Sequence, residues 1–130
     1  MARIFTFRGK RPEEFQGMSI EEYLPYLRSR ERRAIKRMGI SYKELLEKAA
    51  RIKKAGNGKA VRTHTREAVI IPAWLGMKFS VYNGKEFKEM EITAEMLGRR
   101  LGDFVFTTKH VVHSAPGIRA TRGSKFLAVK

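Results

Sequence analysis

The sequence predicts a small α/β fold of the α+β type: an antiparallel sheet with flanking short helices, a helical amino-terminal extension and an extended, basic carboxy-terminal tail. Helical patterns precede residue 56, alternating residues and an Asn-Gly turn follow, and the last 24 residues contain no carboxylate. With 130 residues, 42% of them hydrophobic, the chain fits a single domain. We divide it into a basic helical extension packing on the core (1–60), an α/β core with the hairpin (61–106) and the tail (107–130).

The charge is large and uneven. The chain carries 28 Lys+Arg against 13 Asp+Glu, a net charge of +15. Residues 1–66 hold 18 basic and 7 acidic side chains, residues 67–106 hold 5 and 6, and residues 107–130 hold 5 and none. A small ligand cannot neutralise so many cations, so the charge favours a nucleic acid bound by two cationic arms.

The composition also indicates where in the cell the protein is expected. The chain has no cysteine, which excludes disulfides and thiolate metal sites. No apolar run approaches the ~20 residues that span a bilayer, and the first ten residues are too basic and too few for a signal peptide. We therefore expect a soluble, cytoplasmic protein with no membrane partner.

The first helix signal is a capping box, in which Ser19 and Glu22 stand three residues apart. Pro25 follows closely and is expected to shorten or kink the helix that this box opens.

The segment 28–38 has a thin apolar stripe on an otherwise basic helix, and Gly39 is a plausible stop. Like charges three or four residues apart repel each other on an isolated helix, so we favour phosphate contact over a merely solvated face. The cations concerned are Arg28, Arg30, Arg32, Arg33, Lys36 and Arg37.

A second capping box, Ser41 with Glu44, predicts a helix over 42–54 that ends at Gly56. For the lysines of this helix, a solvated face and a phosphate contact are equally good interpretations.

The run 61–66 alternates between apolar or hydroxyl side chains and basic ones, which predicts a strand. The strand would present Arg62, His64 and Arg66 on one face, a contact surface for a polyanion. A half-buried strand with a solvated outer face explains the alternation equally well.

Asn83-Gly84 predicts a β-hairpin with a two-residue type I′ turn, because both turn residues then need a positive φ. This turn would place Lys78 opposite Glu89 and leave Lys85 at the tip. An exposed lysine in a turn serves solubility as readily as binding.

Thr93 can cap a short helix over 94–101, with Gly102 as its stop. Arg99 and Arg100 would lie opposite its apolar stripe.

The sequence contains no motif typical of a catalytic, nucleotide-binding or metal site. There is no carboxylate pair in an apolar setting, no nucleophile elbow and no P-loop. His110 and His113 have the spacing of helical metal ligands, but the tail offers no third ligand. We expect no enzymatic activity, metal, cofactor or small-molecule substrate.

Several spaced motifs, in one order, give the chain a family resemblance. The motifs are 61–66, 70–72, 81–85, 91–93, 101–104 with Met96 and Gly98, and 113–118 with 120–126. The chain resembles the S-nineteen family of small-subunit ribosomal proteins. Its tail and helical extension look like the archaeal and eukaryotic branch, which is called S-fifteen-e in eukaryotes.

The resemblance implies a structural constituent of the ribosome that binds the 3′ major domain of small-subunit ribosomal RNA (rRNA) in the head. It further implies association with ribosomal protein S-thirteen, and a tail directed toward the decoding region, where tRNA binds. A chromatin-like protein that compacts DNA non-specifically is the alternative that composition allows.

Carried over by motif, the resemblance places rRNA contacts in three segments. They are Arg62, His64 and Arg66, then Asn83, Gly84 and Lys85, and in the tail Arg119, Arg122 and Lys125. Beside these and the cations of segment 28–38, the expected contacts include Arg99, Arg100, Lys109, His110 and His113.

Overall fold

The computed structural model describes residues 5–56 and 58–110, in which helices pack against a small sheet. This arrangement confirms the α+β fold class. Short 3₁₀ turns connect the longer elements. The helices are α1 (Ile20–Tyr23), α2 (Ser29–Lys36) and α3 (Ile40–Ala55), and the strands are β1 (Val61–Thr63), β2 (Lys78–Tyr82) and β3 (Phe87–Glu91).

The sheet is mixed, so the prediction of an antiparallel sheet is wrong for one strand. In the order β1-β2-β3, β1 runs parallel to β2, with Val61 opposite Phe79, and β3 runs antiparallel to β2. Parallel neighbours need a crossover of about a dozen residues, and the chain between β1 and β2 is long enough to provide one. Alternation in the sequence reveals a strand but not the direction in which it pairs.

The hairpin loop has four residues, 83–86, rather than the two predicted. Tyr82 and Phe87 form the last pair of the ladder. The side-chain oxygen of Asn83 accepts hydrogen bonds from the backbone N–H groups of Lys85 (2.9 Å) and Glu86 (2.8 Å). Asn83 therefore closes the loop with its side chain, which replaces the type I′ turn.

The longer loop shifts the register by two residues, so Lys78 lies opposite Glu91 rather than Glu89. Because side chains alternate with a period of two, this shift leaves each of them on its predicted face. Phe79 and Val81 are buried, as that face requires.

The first capping box is confirmed. The N–H of Glu22 donates to Ser19 Oγ (3.3 Å), and the N–H of Ser19 donates to Glu22 Oε2 (3.1 Å). A 3₁₀ turn containing Pro25 follows directly, so α1 is short as expected.

The second capping box is wrong, whereas the predicted helix end is confirmed. Helix α3 begins at Ile40 with Gly39 as its N-cap, and Ser41 lies inside the helix. Gly39 therefore separates α2 from α3 directly. The helix ends at Gly56, whose φ of 63° is the left-handed conformation that glycine adopts at little cost.

The helix predicted over 94–101 is replaced by two 3₁₀ turns, Ala94–Met96 and Leu101–Phe104. Tertiary pairing competes with the helix here. The N–H of Ile70 donates to the carbonyl of Arg99 (2.8 Å), and the N–H of Leu101 donates to that of Ala68 (3.0 Å). These bonds hold the segment extended against the buried run 68–71.

Buried side chains from the helical segment and from the sheet form one core cluster, which runs from Phe15 to Val105. Two tyrosines from the helices reach across it. Tyr42 donates to the carbonyl of Val69 (3.0 Å), and Tyr23 donates to that of Ile70 (3.4 Å). The helices are therefore fixed to the run that connects β1 with β2.

Arg66, just after β1, binds three backbone carbonyls. It donates to Tyr82 (2.7 Å), to Gly102 (3.0 Å) and to Val105. A Cβ at position 102 would lie 3.0 Å from the Arg66 carbonyl oxygen, so glycine lets the two segments approach. One side chain thus joins the end of β2 to the last 3₁₀ turn.

Arg66→Lys should lower the free energy of unfolding by roughly 2–4 kcal/mol, because an ammonium cannot reach all three carbonyls and leaves some unpaired. Arg33→Lys is the matched control, since Arg33 is exposed and should change stability by less than about 0.5 kcal/mol. Urea denaturation of both variants measures the difference. Equal stabilities would contradict the role of Arg66.

Burial raises the pKa of the Tyr23 and Tyr42 phenols. Both therefore stay protonated in the folded chain above pH 10.0, the ordinary phenol value, where the unfolded chain loses these protons. Their contribution to stability is complete below that pH and is lost as pH rises above it, by up to about 1.4 kcal/mol per pH unit for each phenol.

Urea denaturation at about pH 9, 10 and 11 measures this dependence. Tyr42→Phe should make the fall in unfolding free energy less steep. A free energy that does not change over this range would contradict the assignment.

Candidate nucleic-acid interface

The positive charge is left largely uncompensated within the protein. In residues 5–56 and 58–110 a single ion pair forms, between Arg51 and Glu47 (3.9 Å), and both side chains are exposed. Exposed pairs of this kind contribute little to stability. Lys48 and Lys53 of α3 donate to the carbonyls of Arg62 (2.6 Å) and Ala73 (2.8 Å), and most of the other exposed cations are available to a polyanion.

Helix α2 presents five of its six predicted contacts to solvent, namely Arg28 at its N-cap, Arg30, Arg33, Lys36 and Arg37. Arg32 is different. Its guanidinium donates to the carbonyls of Leu24 (3.1 Å), Pro25 (3.4 Å) and Leu27 (3.0 Å). The structure thus gives Arg32 the role of closing the preceding 3₁₀ turn by binding its backbone carbonyls.

The basic face predicted for 61–66 does not form, because β1 ends at Thr63. Arg62 and His64 are exposed, whereas Arg66 turns inward to its three carbonyls. Two of the three predicted contacts therefore remain at the surface.

His64, Tyr82 and Phe87 form a ring cluster that we call the aromatic platform. Their ring centroids are 4.6 Å apart for His64–Tyr82, 5.0 Å for His64–Phe87 and 5.2 Å for Tyr82–Phe87. The Arg62 guanidinium lies 4.3 Å from the Phe87 centroid, within cation–π distance. Aromatic rings beside a cation are the elements that bind unstacked bases.

Sequence reasoning missed Phe87 in this cluster. The predicted two-residue turn gave the wrong cross-strand partners, and only the four-residue loop places Phe87 opposite Tyr82. Placing Phe87 requires the length of the loop, which the Asn-Gly pair alone does not determine.

The hairpin loop lies against the platform, since the Tyr82 hydroxyl donates to the carbonyl of Gly84 (2.9 Å). Gly84 and Lys85 are exposed, whereas Asn83 is half-buried and its side-chain oxygen is used within the loop. Lys85 is thus the cation that the loop offers beside the rings.

The platform and α2 share a continuous surface. A cleft of about 290 Å³ between α2 and the run after β1 is lined by Arg37 and Arg100 as well as Glu67. Glu67 also lines the neighbouring groove with His64. The two grooves therefore meet at Glu67, between α2 and His64 of the platform.

The other predicted contacts lie elsewhere. Arg99 is exposed at a second cavity, and Lys109 and His110 are exposed. Four lie outside the described residues: His113, Arg119, Arg122 and Lys125.

Two further features are absent from residues 5–56 and 58–110. No group of three His, Asp or Glu side chains there could hold a metal ion. None of the helices in these segments is long and apolar enough to cross a membrane.

Comparisons with known proteins agree with the motifs. Residues 33–113 match the family model described as Ribosomal protein S19. Over 128 residues the chain is 44% identical to the small ribosomal subunit protein uS19 of Saccharolobus solfataricus, covering 97% of this chain and 91% of that protein. It is 39% identical, with the same coverage, to the protein of that name from Metallosphaera sedula. These matches confirm the resemblance that the sequence motifs indicate.

Replacing Arg33, Lys36 and Arg37 together by Gln should weaken binding to poly(U) RNA and reduce its salt dependence. Three lost phosphate contacts correspond to a slope of log K against log salt that is smaller by about 2. Arg32→Gln is the matched control, because Arg32 is used within the protein and the slope should not change. Fluorescence anisotropy across a salt series measures both, and an unchanged slope in the triple variant would contradict the interface.

Proposed function

Because the chain belongs to the ribosomal protein S19 family, we propose that it is a structural component of the small ribosomal subunit, binding the 3′ major domain of small-subunit rRNA in the head. The observation that carries this proposal is the aromatic platform, which lies beside Arg62 and Lys85, together with the exposed basic side chains of helix α2.

The charged helix supplies affinity. Its exposed arginines and Lys36 neutralise phosphates and release their counterions, a contribution that does not depend on base sequence. The folded core fixes the direction in which these cations point, so they recognise the path of the RNA backbone.

The platform supplies a preference for unpaired RNA. Duplex RNA keeps its bases stacked, whereas a loop or bulge can place a base against an aromatic ring. Arg62 covers the Phe87 ring, while His64 is exposed at the edge of the cluster. The neighbouring cations then bind the phosphates on either side of such a base.

The proposal also covers the basic tail and the partners of the chain in the ribosome. Residues 107–130 carry five basic and no acidic side chains, which suits contact with RNA along an extended path toward the decoding region and tRNA. The resemblance to the family supports ribosomal protein S-thirteen as a neighbour in the head. The location proposed is the cytoplasmic ribosome, and the role is structural rather than enzymatic.

A DNA-compacting role is the alternative that charge alone allows. The platform favours RNA over it, because rings on a protein surface gain little from a duplex whose bases remain stacked. The two functions therefore differ in how binding responds to loss of a ring.

His64→Leu should weaken binding to a 3′-major-domain rRNA fragment by about tenfold, because His64 is the exposed ring of the platform and stacking on one base is worth about 1–3 kcal/mol. Binding to duplex DNA of equal length should not change. Phe106→Leu is the matched control, because Phe106 is an exposed ring outside the platform. Gel shifts at matched salt measure all three proteins.

Equal affinity of the unaltered chain for the rRNA fragment and for duplex DNA would contradict the proposal and favour the alternative. Footprinting on the same fragment, with and without residues 107–130, tests the tail. Its removal should erase part of the footprint, and an unchanged footprint would contradict the role of the tail.

A further inference from the structure

A second cavity, of about 610 Å³, lies apart from the platform, where the amino-terminal segment (residues 1–11) meets α2 and the segment 95–103. Its lining begins with Phe5, the first residue that the structure describes. Glu31, Glu95 and Asp103 also line it, and Glu31 lies in the first turn of α2. The described chain therefore begins beside three carboxylates.

Glu31 is unlike the other acidic residues in equivalent positions. Glu14, Glu22 and Asp103 stand three residues after a helix N-cap, and each accepts a hydrogen bond from the backbone N–H of that N-cap residue. Glu31 stands at the same position in α2, yet its N-cap has no such bond.

One oxygen of the Glu31 carboxylate is enclosed. Oε2 is buried and has no hydrogen-bond partner among the described residues. Arg8, Arg28 and Arg99 line the same cavity, but within the described residues none of them forms an ion pair with Glu31. A buried carboxylate oxygen without a donor is costly, and a ligand from solution does not reach an oxygen that is already covered. The donor is therefore to be sought in the chain itself.

We propose that Arg3 is this donor, and that its guanidinium forms an ion pair with Glu31 that ties the amino-terminal segment to α2. Residues 1–4 lie outside the described residues, and Arg3 is the only one of the four with a side-chain donor. It precedes Phe5 by two residues, a reach of about 7 Å of extended chain. A guanidinium also carries several N–H donors in a planar fork, which suits a carboxylate better than a single amide would.

The described part of the amino-terminal segment is fixed at Phe7, close to the cavity. Phe7 and Lys10 exchange backbone hydrogen bonds of 2.9 and 3.1 Å. The Phe7 ring lies over Gly98, where a Cβ would come within 3.0 Å of it. Side chains alternate along an extended chain, so an extended course from Phe7 would place Arg3 on the same side as Phe5 and Phe7. That side contains the cavity, since both rings line it.

The ion pair has a consequence for the basic helix. Glu31 is the only acidic residue of α2, and it stands among the cations that face solvent. Pairing with Arg3 occupies this carboxylate, which would otherwise oppose a phosphate beside the helix. This consequence rests on the proposed function, whereas the ion pair itself does not. The amino-terminal segment then belongs to the folded core instead of forming a separate arm for RNA.

A double-mutant cycle on the full chain, measured by urea denaturation, tests the pair. Arg3→Gln should lower the equilibrium constant for folding at least about tenfold, because it leaves a buried carboxylate oxygen without its donor. In the Glu31→Gln background the same substitution should change that constant by less than about twofold. Arg11→Gln is the matched control, an exposed arginine of the same segment that does not line the cavity, and its effect should be equally small in both backgrounds.

A second measurement keeps the inference testable if Glu31→Gln does not fold. The side-chain carboxyl ¹³C resonance of Glu31, observed by NMR in the free chain, should move in Arg3→Gln and stay in place in Arg11→Gln. This resonance reports on the partner of the carboxylate, which a general loss of stability does not change.

Additive effects of Arg3→Gln and Glu31→Gln, or a Glu31 resonance that does not respond to Arg3→Gln, would overturn the inference. Unchanged stability of Arg3→Gln with a smaller salt slope of poly(U) binding would also overturn it, because the segment would then be an arm for RNA. A Glu31 resonance that moves only when RNA or an arginine-rich peptide is added would assign the donor to a partner instead. None of these results alters the preference for the rRNA fragment over duplex DNA, which tests the proposed function separately.

Discussion

The Arg66 guanidinium is the interaction on which the functional surface depends. It binds carbonyls at the end of β2 and in the last 3₁₀ turn, two segments about twenty residues apart in sequence. Because Tyr82 is one of these carbonyl partners, Arg66 also fixes the base of the hairpin loop. Arg66 thus ties the strand end that carries Tyr82 to the segment 102–105, in addition to the pairing of β2 within the sheet.

The basic residues divide into two classes that composition does not distinguish. Arg32 and Arg66 are used inside the protein, where each satisfies several backbone carbonyls. Arg33, Arg37 and their neighbours on α2 are exposed and remain free of ion pairs in the described residues. The inward arginines hold backbone segments together, and the outward arginines are free to bind a polyanion. Net charge alone does not distinguish these two uses.

Local rules were sufficient where a feature depends on neighbouring residues. Ser19 with Glu22 and the glycine at position 56 were predicted correctly, because capping and left-handed helix ends are properties of a short segment. Helix 94–101 failed because Ile70 and Ala68 pair with that segment from far away in sequence. The parallel pairing of β1 and the place of Phe87 also depend on tertiary contacts, so no local pattern encodes them.

The division of the arginines is the central claim, and arginine modification tests it directly. Phenylglyoxal labelling with mass spectrometry should be applied to the full chain, free and bound to the 3′-major-domain rRNA fragment. Arg32 and Arg66 should react poorly in both states, whereas Arg33, Arg37 and Arg62 should react when free and become protected on RNA. Equal reactivity of Arg66 and Arg33 in the free chain, or continued reactivity of Arg33 and Arg37 in the complex, would contradict the account.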